Sequence, residues 1–110
     1  MIIREDWVHD AVEYLREGGG VAAMAKGNLV RAEYHRKRVH AKLILEAPHS
    51  SQGMRVAYAD AHPDYAEICE KLAKCEEEVE RHRNERSKAE TICEMWRTQS
   101  ATLRGLGRVA

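Results

Sequence analysis

Mostly apolar or small residues recur at alternating steps of three and four along the first half of the chain, and this spacing constrains the fold more than any other feature. The positions are Val8, Ala11, Leu15, Gly18, Ala22, Ala25, Leu29, Ala32, Arg36, Val39 and Leu43. Steps of three and four place side chains on one face of an α-helix. The pattern therefore predicts one long helix, over about residues 4–47, with a packing seam along one side.

A second seam with the same spacing occupies the other half of the chain. Its positions are Tyr65, Ile68, Leu72, Cys75, Val79, His82, Arg86, Ala89, Cys93, Trp96, Ser100 and Leu103. It predicts a second long helix over about residues 64–104. Gly105 and Gly107 are expected to end this helix, because glycine is the usual residue after a helix C-terminus, and to leave a flexible tail at residues 105–110.

The segment between the seams, residues 48–63, is expected to form a helical elbow. Pro48 should end the first helix, and Ser50 or Ser51 can cap a short helix over about residues 52–60. Pro63 suits the first position of the second long helix. The chain is thus expected to be all-α, with residues 1–110 as one helical hairpin domain.

Three consecutive glycines, Gly18 to Gly20, lie inside the first predicted helix. A glycine cluster before a lysine raises the alternative of a phosphate-binding loop. No strand precedes the glycines, however, and Lys26 is followed by Gly27 and Asn28 instead of Ser or Thr. Since the seam keeps its phase through Gly18, we expect a continuous helix, with a kink or break at residues 18–20 as the alternative.

Charge alternates in blocks that favour an antiparallel pairing of the two helices. Residues 1–25 carry two basic and five acidic side chains (net −3), residues 26–47 six and two (+4), residues 64–80 two and seven (−5), and residues 81–110 seven and three (+4). A fold at the elbow places each block beside one of opposite sign. Exposed ion pairs stabilise little individually, so the blocks specify orientation more than stability.

In that antiparallel register, paired residue numbers sum to about 110 or slightly more. Trp96 would then face Leu15 and Gly18, filling the space that the glycines leave. His82 would lie opposite Leu29 as a partly exposed seam residue, with a functional histidine as the weaker alternative. The seam residues expected to hold the hairpin together are Leu15, Gly18, Ala22, Leu29, Leu72, Val79, Ala89 and Trp96.

The composition sets limits on partners and chemistry. Eighteen basic side chains balance eighteen acidic ones, so no global field steers the protein toward nucleic acid or membrane. No apolar run is long enough to span a bilayer, and a cytoplasmic location is expected. Two helices alone bury little apolar surface, which predicts a homo-oligomer: a dimer forming a four-helix bundle, or a larger assembly.

No residues form a recognisable catalytic or metal-binding set. The three cysteines, an odd number, favour reduced thiols. A zinc site from Cys69, Cys75, His82 and Cys93 is disfavoured because ligands along one straight helix cannot surround an ion. Asp60, His62 and Asp64 suit a helix start. We therefore expect no enzyme, no cofactor, no metal and no small-molecule substrate.

Basic side chains on the second long helix are the candidate contact residues. The run at residues 33–42 should be partly neutralised by the acidic residues 75–80 across the hairpin. Less opposed are Arg81, Arg83, Lys88, Arg97, Arg104 and Arg108. These six are expected to meet nucleic-acid phosphates or a protein partner. The alternative for the last arginines is a favourable interaction with the helix C-terminal dipole.

Four short stretches carry a resemblance to a known group of proteins. They are "EYLRE" at residues 13–17, "AAMAKG" at 22–27, "YADAHPDY" at 58–65 and "WRTQSATLR" at 96–104. Together they resemble small helical proteins encoded by bacteriophages and prophages, often found among phage DNA-replication and recombination genes. The most specific element is the last, with Trp96, Arg97, Thr98, Ala101 and Arg104, whereas the glycine triplet departs from such proteins.

Two functions are compatible with these features. The first, implied by the resemblance, is a non-enzymatic accessory factor in phage DNA replication or recombination that contacts single-stranded DNA, its binding protein or a recombinase. The second is a coiled-coil adaptor or inhibitor that binds a host or phage protein without touching nucleic acid. Oligonucleotide binding at low salt separates the two.

Overall fold

The computed structural model describes the backbone of residues 2–109 and the side chains of residues 2–107. Every regular element in this range is an α-helix: α1 spans Glu5–Glu46, α2 spans Gln52–Ala61 and α3 spans Pro63–Val109. The expected all-α fold and the short middle helix are therefore confirmed. Among residues 2–109, no helix combines the length and apolar composition that a membrane span requires.

α1 is continuous for 42 residues and passes through the glycine triplet without a break. Glu5 and Asp6 lie in its first turn, where a carboxylate favours the positive end of the helix dipole. The helix ends just before Ala47, whose helical conformation is disfavoured by the following Pro48. The expected continuity of this helix is confirmed, so the glycines do not form a loop.

A substitution at Gly20 tests how much the glycine triplet lowers the stability of α1. A Cβ added at Gly19 or Gly20 would meet nothing within 4 Å, whereas one at Gly18 would lie 3.2 Å from Cε2 and Cζ of Tyr14. We expect Gly20→Ala to raise the free energy of unfolding by about 0.5–1 kcal/mol, because alanine loses less backbone entropy in a helix. Gly18→Ala should gain less, since the Tyr14 ring must shift. Urea denaturation of both variants measures the difference, and an unchanged or lowered stability for Gly20→Ala would contradict it.

Side-chain caps define the junctions around α2. Ser51 is the N-cap of α2, and its hydroxyl accepts a 3.3 Å hydrogen bond from the Met54 amide. At the other end, the His62 amide donates to the Ala59 carbonyl. Pro63 opens α3, where its missing N–H costs no helical hydrogen bond. The His62 ring then caps α3, with Nδ1 accepting from the Asp64 amide at 3.1 Å.

α3 runs to Val109, past the two glycines that were expected to end it. The prediction of a C-terminus at about residue 104 was therefore wrong, and the expected flexible tail is helical as far as Val109, with residue 110 outside the described chain. Glycine lowers helix stability by about 1 kcal/mol but removes no backbone hydrogen bond. Neither Gly105 nor Gly107 adopts a positive φ, so neither acts as a left-handed cap.

The α1 seam is found nearly as predicted. All its positions are buried or half-buried except Leu15, which is 37% exposed. Tyr14 takes its place, half-buried and in contact with α3. Both residues fit a step of three or four after Ala11, so spacing alone does not choose between them. The assignment of Leu15 to the seam was wrong.

The α3 seam shows three departures from the sequence expectation. His82, expected to be partly exposed, is buried at 7%. Arg86 and Leu103, expected on the seam, are exposed. The other predicted members, including Leu72, Val79, Ala89 and Trp96, are buried or half-buried.

The chain divides into two compact units, the first formed by residues 1–23 and 80–110. Within it, the Gln99 amide brackets the Ile3 backbone: its Oε1 accepts from the Ile3 amide at 2.8 Å, and its Nε2 donates to the Ile3 carbonyl at 3.1 Å. Tyr14 donates to the His82 carbonyl at 3.1 Å. The buried side chains described in this unit are Ile3, Ala11, His82 and Ala89.

The second unit comprises residues 24–79 and contains α2. The His40 and Tyr65 rings lie 4.7 Å apart, and His40 Nε2 lies 2.7 Å from Asp60 Oδ1. These contacts join α1 to α3 and to α2. The buried apolar residues of this unit are Ala25, Leu43, Ala47, Ala59, Ile68 and Leu72. The core is thin, since no large side chain among the described residues is fully enclosed.

The pairs that join α1 to α3 correct the expected register. The hydrogen-bonded pair Tyr14–His82 and the ring pair His40–Tyr65 have numbers that sum to 96 and 105, below the expected 110. The side chain closest to Gly18 is Tyr14, on the same helix, and Gly19 and Gly20 face open space. The expectation that Trp96 fills the space over the glycine cluster was therefore wrong. Tertiary hydrogen bonds, which the seam spacing does not encode, decide the register.

Candidate functional site

Several basic side chains on α3 are paired with carboxylates of the same helix. Arg81 Nη1 lies 3.3 Å from Glu85, and Arg83 Nη1 lies 2.8 Å from Glu80. Neighbours three or four residues apart meet on a helix surface, so these pairs form without any contribution from tertiary structure. Arg81 and Arg83, which the sequence analysis included among the contact residues, are thus partly neutralised locally.

Arg97 and Arg104 differ from the paired arginines. Both are exposed, and neither forms a hydrogen bond or an ion pair with another described side chain. They are seven residues apart, two helical turns, and therefore lie on the same side of α3. Arg108 follows at the matching spacing, but its side chain lies outside the described residues. No residue from 95 to 110 is acidic, so no carboxylate on this part of α3 competes for these guanidinium groups.

Lys88 is exposed and likewise forms no ion pair with the described side chains. It lies nine residues before Arg97, which turns it to the opposite side of the helix. The six predicted contact residues therefore do not form one surface. Arg97 and Arg104 share one side of α3, Lys88 faces away from them, and Arg81 and Arg83 are paired with glutamates.

A shallow groove in the second unit was not predicted from sequence. It lies between α1 and α3, with Val39, Leu43 and Ile68 as its apolar floor. A continuation of the groove is lined by Ala32 and Cys75, again with Ile68. Sequence spacing identifies the floor residues as seam positions but does not reveal how far apart the two helix surfaces stand.

Charged residues rim this groove unevenly. Arg31 and Lys74 line one end. The other end carries Glu46 and Asp64, with Lys42 within 3.8 Å of Glu46. The groove is open and of mixed charge, and it lacks the enclosure that a small-molecule site requires.

The basic run of α1 is not neutralised across the second unit as expected. Lys37 and Arg38 are exposed and form no ion pair within the described part of the chain. The acidic side chains of Glu76 and Glu77 on α3 are also exposed and unpaired there. The expected neutralisation of the 33–42 run by residues 75–80 was therefore wrong for these four side chains, which are exposed to solvent and do not meet across the two helices.

Arg36 is the seam exception on α1. It is half-buried, and its buried Nε has no hydrogen-bond partner. An unsatisfied buried donor costs about 1–3 kcal/mol, so this side chain opposes stability at a position where an apolar residue would fit. Arginine tolerates such a position because its stem packs while its head reaches toward water.

The histidines near the elbow have structural partners. His62 caps α3, and His40 joins Asp60 to the Tyr65 ring. Asp60, His62 and Asp64, which the sequence predicted as residues of a helix start, thus hold helix ends together. No group of three or more His, Cys, Asp or Glu side chains within residues 2–107 has the arrangement of a metal site. The thiols of Cys69, Cys75 and Cys93 are free and half-buried.

The buried polar contact between Tyr14 and His82 was missed by sequence reasoning. The Tyr14 hydroxyl donates to the His82 carbonyl and lies 3.5 Å from its Nδ1. A buried tyrosine needs a partner for its hydroxyl, and a buried histidine needs polar neighbours. One feature of the sequence could have indicated this position of Tyr14. Tyr14 precedes Gly18 by one helical turn, and the missing side chain of the glycine leaves room for the tyrosine ring to lie over it.

Comparison with known protein families, with curated proteins and with solved structures found no match to this chain.

Proposed function

We propose that the chain is a non-enzymatic accessory factor of phage DNA replication or recombination, acting in the host cytoplasm, that contacts single-stranded DNA or a protein bound to it. The observation that carries this proposal is the exposed pair Arg97 and Arg104, on one side of α3 and without a carboxylate partner among the described side chains. Guanidinium groups left free on one side of a helix suit phosphate contacts that are independent of base sequence.

Trp96 is not part of the proposed contact. Its side chain is half-buried on the α3 seam, between exposed Met95 and Arg97. A ring held within the helix contact cannot stack on a base without leaving its packing. The proposed binding is therefore electrostatic, with affinity that falls as salt rises.

Fluorescence anisotropy with a labelled oligothymidine at low salt tests the contact. We expect the double variant Arg97→Gln with Arg104→Gln to bind at least about 10-fold more weakly and to reduce the salt slope by about 1.4, since each of the two lost phosphate contacts removes about 0.7 from it. Arg83→Gln is the matched control, because Glu80 already pairs with this arginine at 2.8 Å. Absence of binding by the unmodified protein would remove the DNA contact from the proposal.

The second candidate is an adaptor or inhibitor that binds a protein and no nucleic acid. It is supported by large apolar side chains on the surface, such as Met24 at 66% and Leu106 at 64% exposure. A surface patch made of several exposed apolar side chains is typical of a site that a protein partner covers. This candidate expects no oligonucleotide binding, no interaction with a purified single-strand-binding protein or recombinase, and a direct interaction with a different host or phage protein.

We further propose that α1 and α3 pair as an antiparallel hairpin that self-associates. Support for the pairing comes from each unit separately, through Tyr14 with His82 in one and His40 with Tyr65 in the other. Support for self-association comes from the accessible surface of 8394 Å² for 12.6 kDa. A folded monomer of this mass exposes about 6200 Å². The excess exceeds the roughly 800 Å² that each partner buries in a standard interface.

A further inference from the structure

One side of α1 in the second unit carries apolar side chains that nothing in the described chain covers. Val30, Tyr34, Ala41 and Leu45 follow one another at steps of four, seven and four, so they share one side of the helix, here named the α1 outer face. Val30 is 42% exposed, Tyr34 64% and Leu45 76%. The Tyr34 hydroxyl has no hydrogen-bond partner among residues 2–107.

Unpaired cations border the α1 outer face. Lys26 and Lys37 lie along one edge and Arg38 along the other, as their spacing from Val30 and Tyr34 requires. All three are exposed, and none forms an ion pair with a described carboxylate. The face therefore combines an apolar centre with a positive border. It fits a partner surface that has small or apolar side chains at its centre and acidic side chains around them.

The same unit carries a surface of that kind on α3. Ala66, Glu70, Ala73 and Glu77 follow at steps of four, three and four and form the α3 outer face. Glu70 and Glu77 are exposed and unpaired within residues 2–107. Between them, alanine side chains leave room for another helix to approach closely. None of the residues of either outer face lines the groove between α1 and α3.

We propose that the α1 outer face of one copy packs on the α3 outer face of a second copy. This inference rests on the self-association proposed above and assigns the surface that mediates it. Each outer face lies opposite the seam of its own helix, so the two faces are on opposite sides of the unit. The contact is therefore between two different surfaces and joins copies head to tail, in a chain or in a ring. Tyr34 and Val30 pack on Ala66 and Ala73 of the partner, and Lys37 and Arg38 meet glutamates.

Charge complementarity selects a second copy as the occupant. The α1 segment of residues 26–47 has a net charge of +4, and the α3 segment of residues 64–80 has −5. On the two outer faces, Lys26, Lys37 and Arg38 of α1 and Glu70 and Glu77 of α3 form no ion pair within the described chain. A second copy brings these two sets of opposite charge together. An α1-to-α1 contact over residues 26–47 would place like charges together, which disfavours association.

Charge reversal tests this surface. We expect the unmodified protein to form dimers and larger head-to-tail assemblies at micromolar concentration by light scattering. Lys37→Glu with Arg38→Glu should weaken self-association at least about 100-fold, and so should Glu70→Lys with Glu77→Lys, because each places like charges at every contact. Mixing the two double variants should restore assemblies in which the variants alternate, since every contact then joins opposite charges.

A matched control reverses two lysines that line the groove, Lys42→Glu with Lys74→Glu, and should leave the assembly intact. Circular dichroism of every variant checks that the helices remain. A monomeric unmodified protein overturns the self-association itself. An assembly that survives both outer-face reversals leaves self-association standing and overturns only the surface. Dissociation by the α1 reversal alone, with no effect of the α3 reversal, would also overturn it.

Discussion

Leu72→Ala is expected to lower the free energy of unfolding by about 2–4 kcal/mol. Leu72 is 9% exposed and belongs to the thin core of the second unit, where few other apolar side chains could fill the space it leaves. The loss combines the removed apolar contact with an unfilled cavity. Urea denaturation at fixed protein concentration, extrapolated to water, measures it.

Leu103→Ala provides the matched control for this truncation. Leu103 continues the same predicted seam, yet it is 61% exposed, so removing it should change stability by no more than about 0.5 kcal/mol. If the two variants lose equal stability, the burial assigned to Leu72 or the exposure assigned to Leu103 is wrong. The pair therefore tests where the helix contact ends along α3.

Ala59→Leu is expected to destabilise the protein by about 1–3 kcal/mol. Ala59 is completely enclosed, at 0% exposure, and is the one buried residue of α2. A larger side chain there must push α2 away from the rest of the unit or distort its neighbours. Urea denaturation gives the total loss, and faster amide hydrogen exchange in residues 52–61 would locate it at α2.

Ala57→Leu on the same helix is the control for overpacking. Ala57 is exposed, so a larger side chain extends into solvent and stability should stay within about 0.5 kcal/mol. Equal stability of the two variants would show that Ala59 has room around it. Retention of the His40 contact with Asp60, 2.7 Å apart in the native protein, would indicate that α2 remains docked.

The helices themselves were predictable because their signals are local. Steps of three and four, Ser51 before α2 and Pro63 at the start of α3 each act through neighbours in the sequence. The glycine triplet was correctly placed inside α1 because the seam keeps its phase across it. The end of α3 was mispredicted because a glycine permits a helix to end without requiring it.

The candidate contact residues were less predictable, because pairing depends on which neighbour a flexible side chain reaches. Arg83 and Arg97 each follow a glutamate by three residues. Glu80 forms an ion pair with Arg83 and partly neutralises its charge. Glu94 lies at the same spacing from Arg97 without forming an ion pair. The net charges of the four segments indicate which segments attract one another. They do not indicate which individual side chains form ion pairs.

The helical fold, the position of the short helix and the mostly buried side of each long helix can all be predicted from local sequence. These properties follow from backbone propensity, caps and periodicity, which operate over one or two turns. The position of Tyr14 in place of Leu15 on the seam, the burial of His82 and the hydrogen bonds of Gln99 to the Ile3 backbone arise from packing between distant segments. A helical seam is compatible with several registers, and the choice among them depends on hydrogen bonds between residues far apart in the chain.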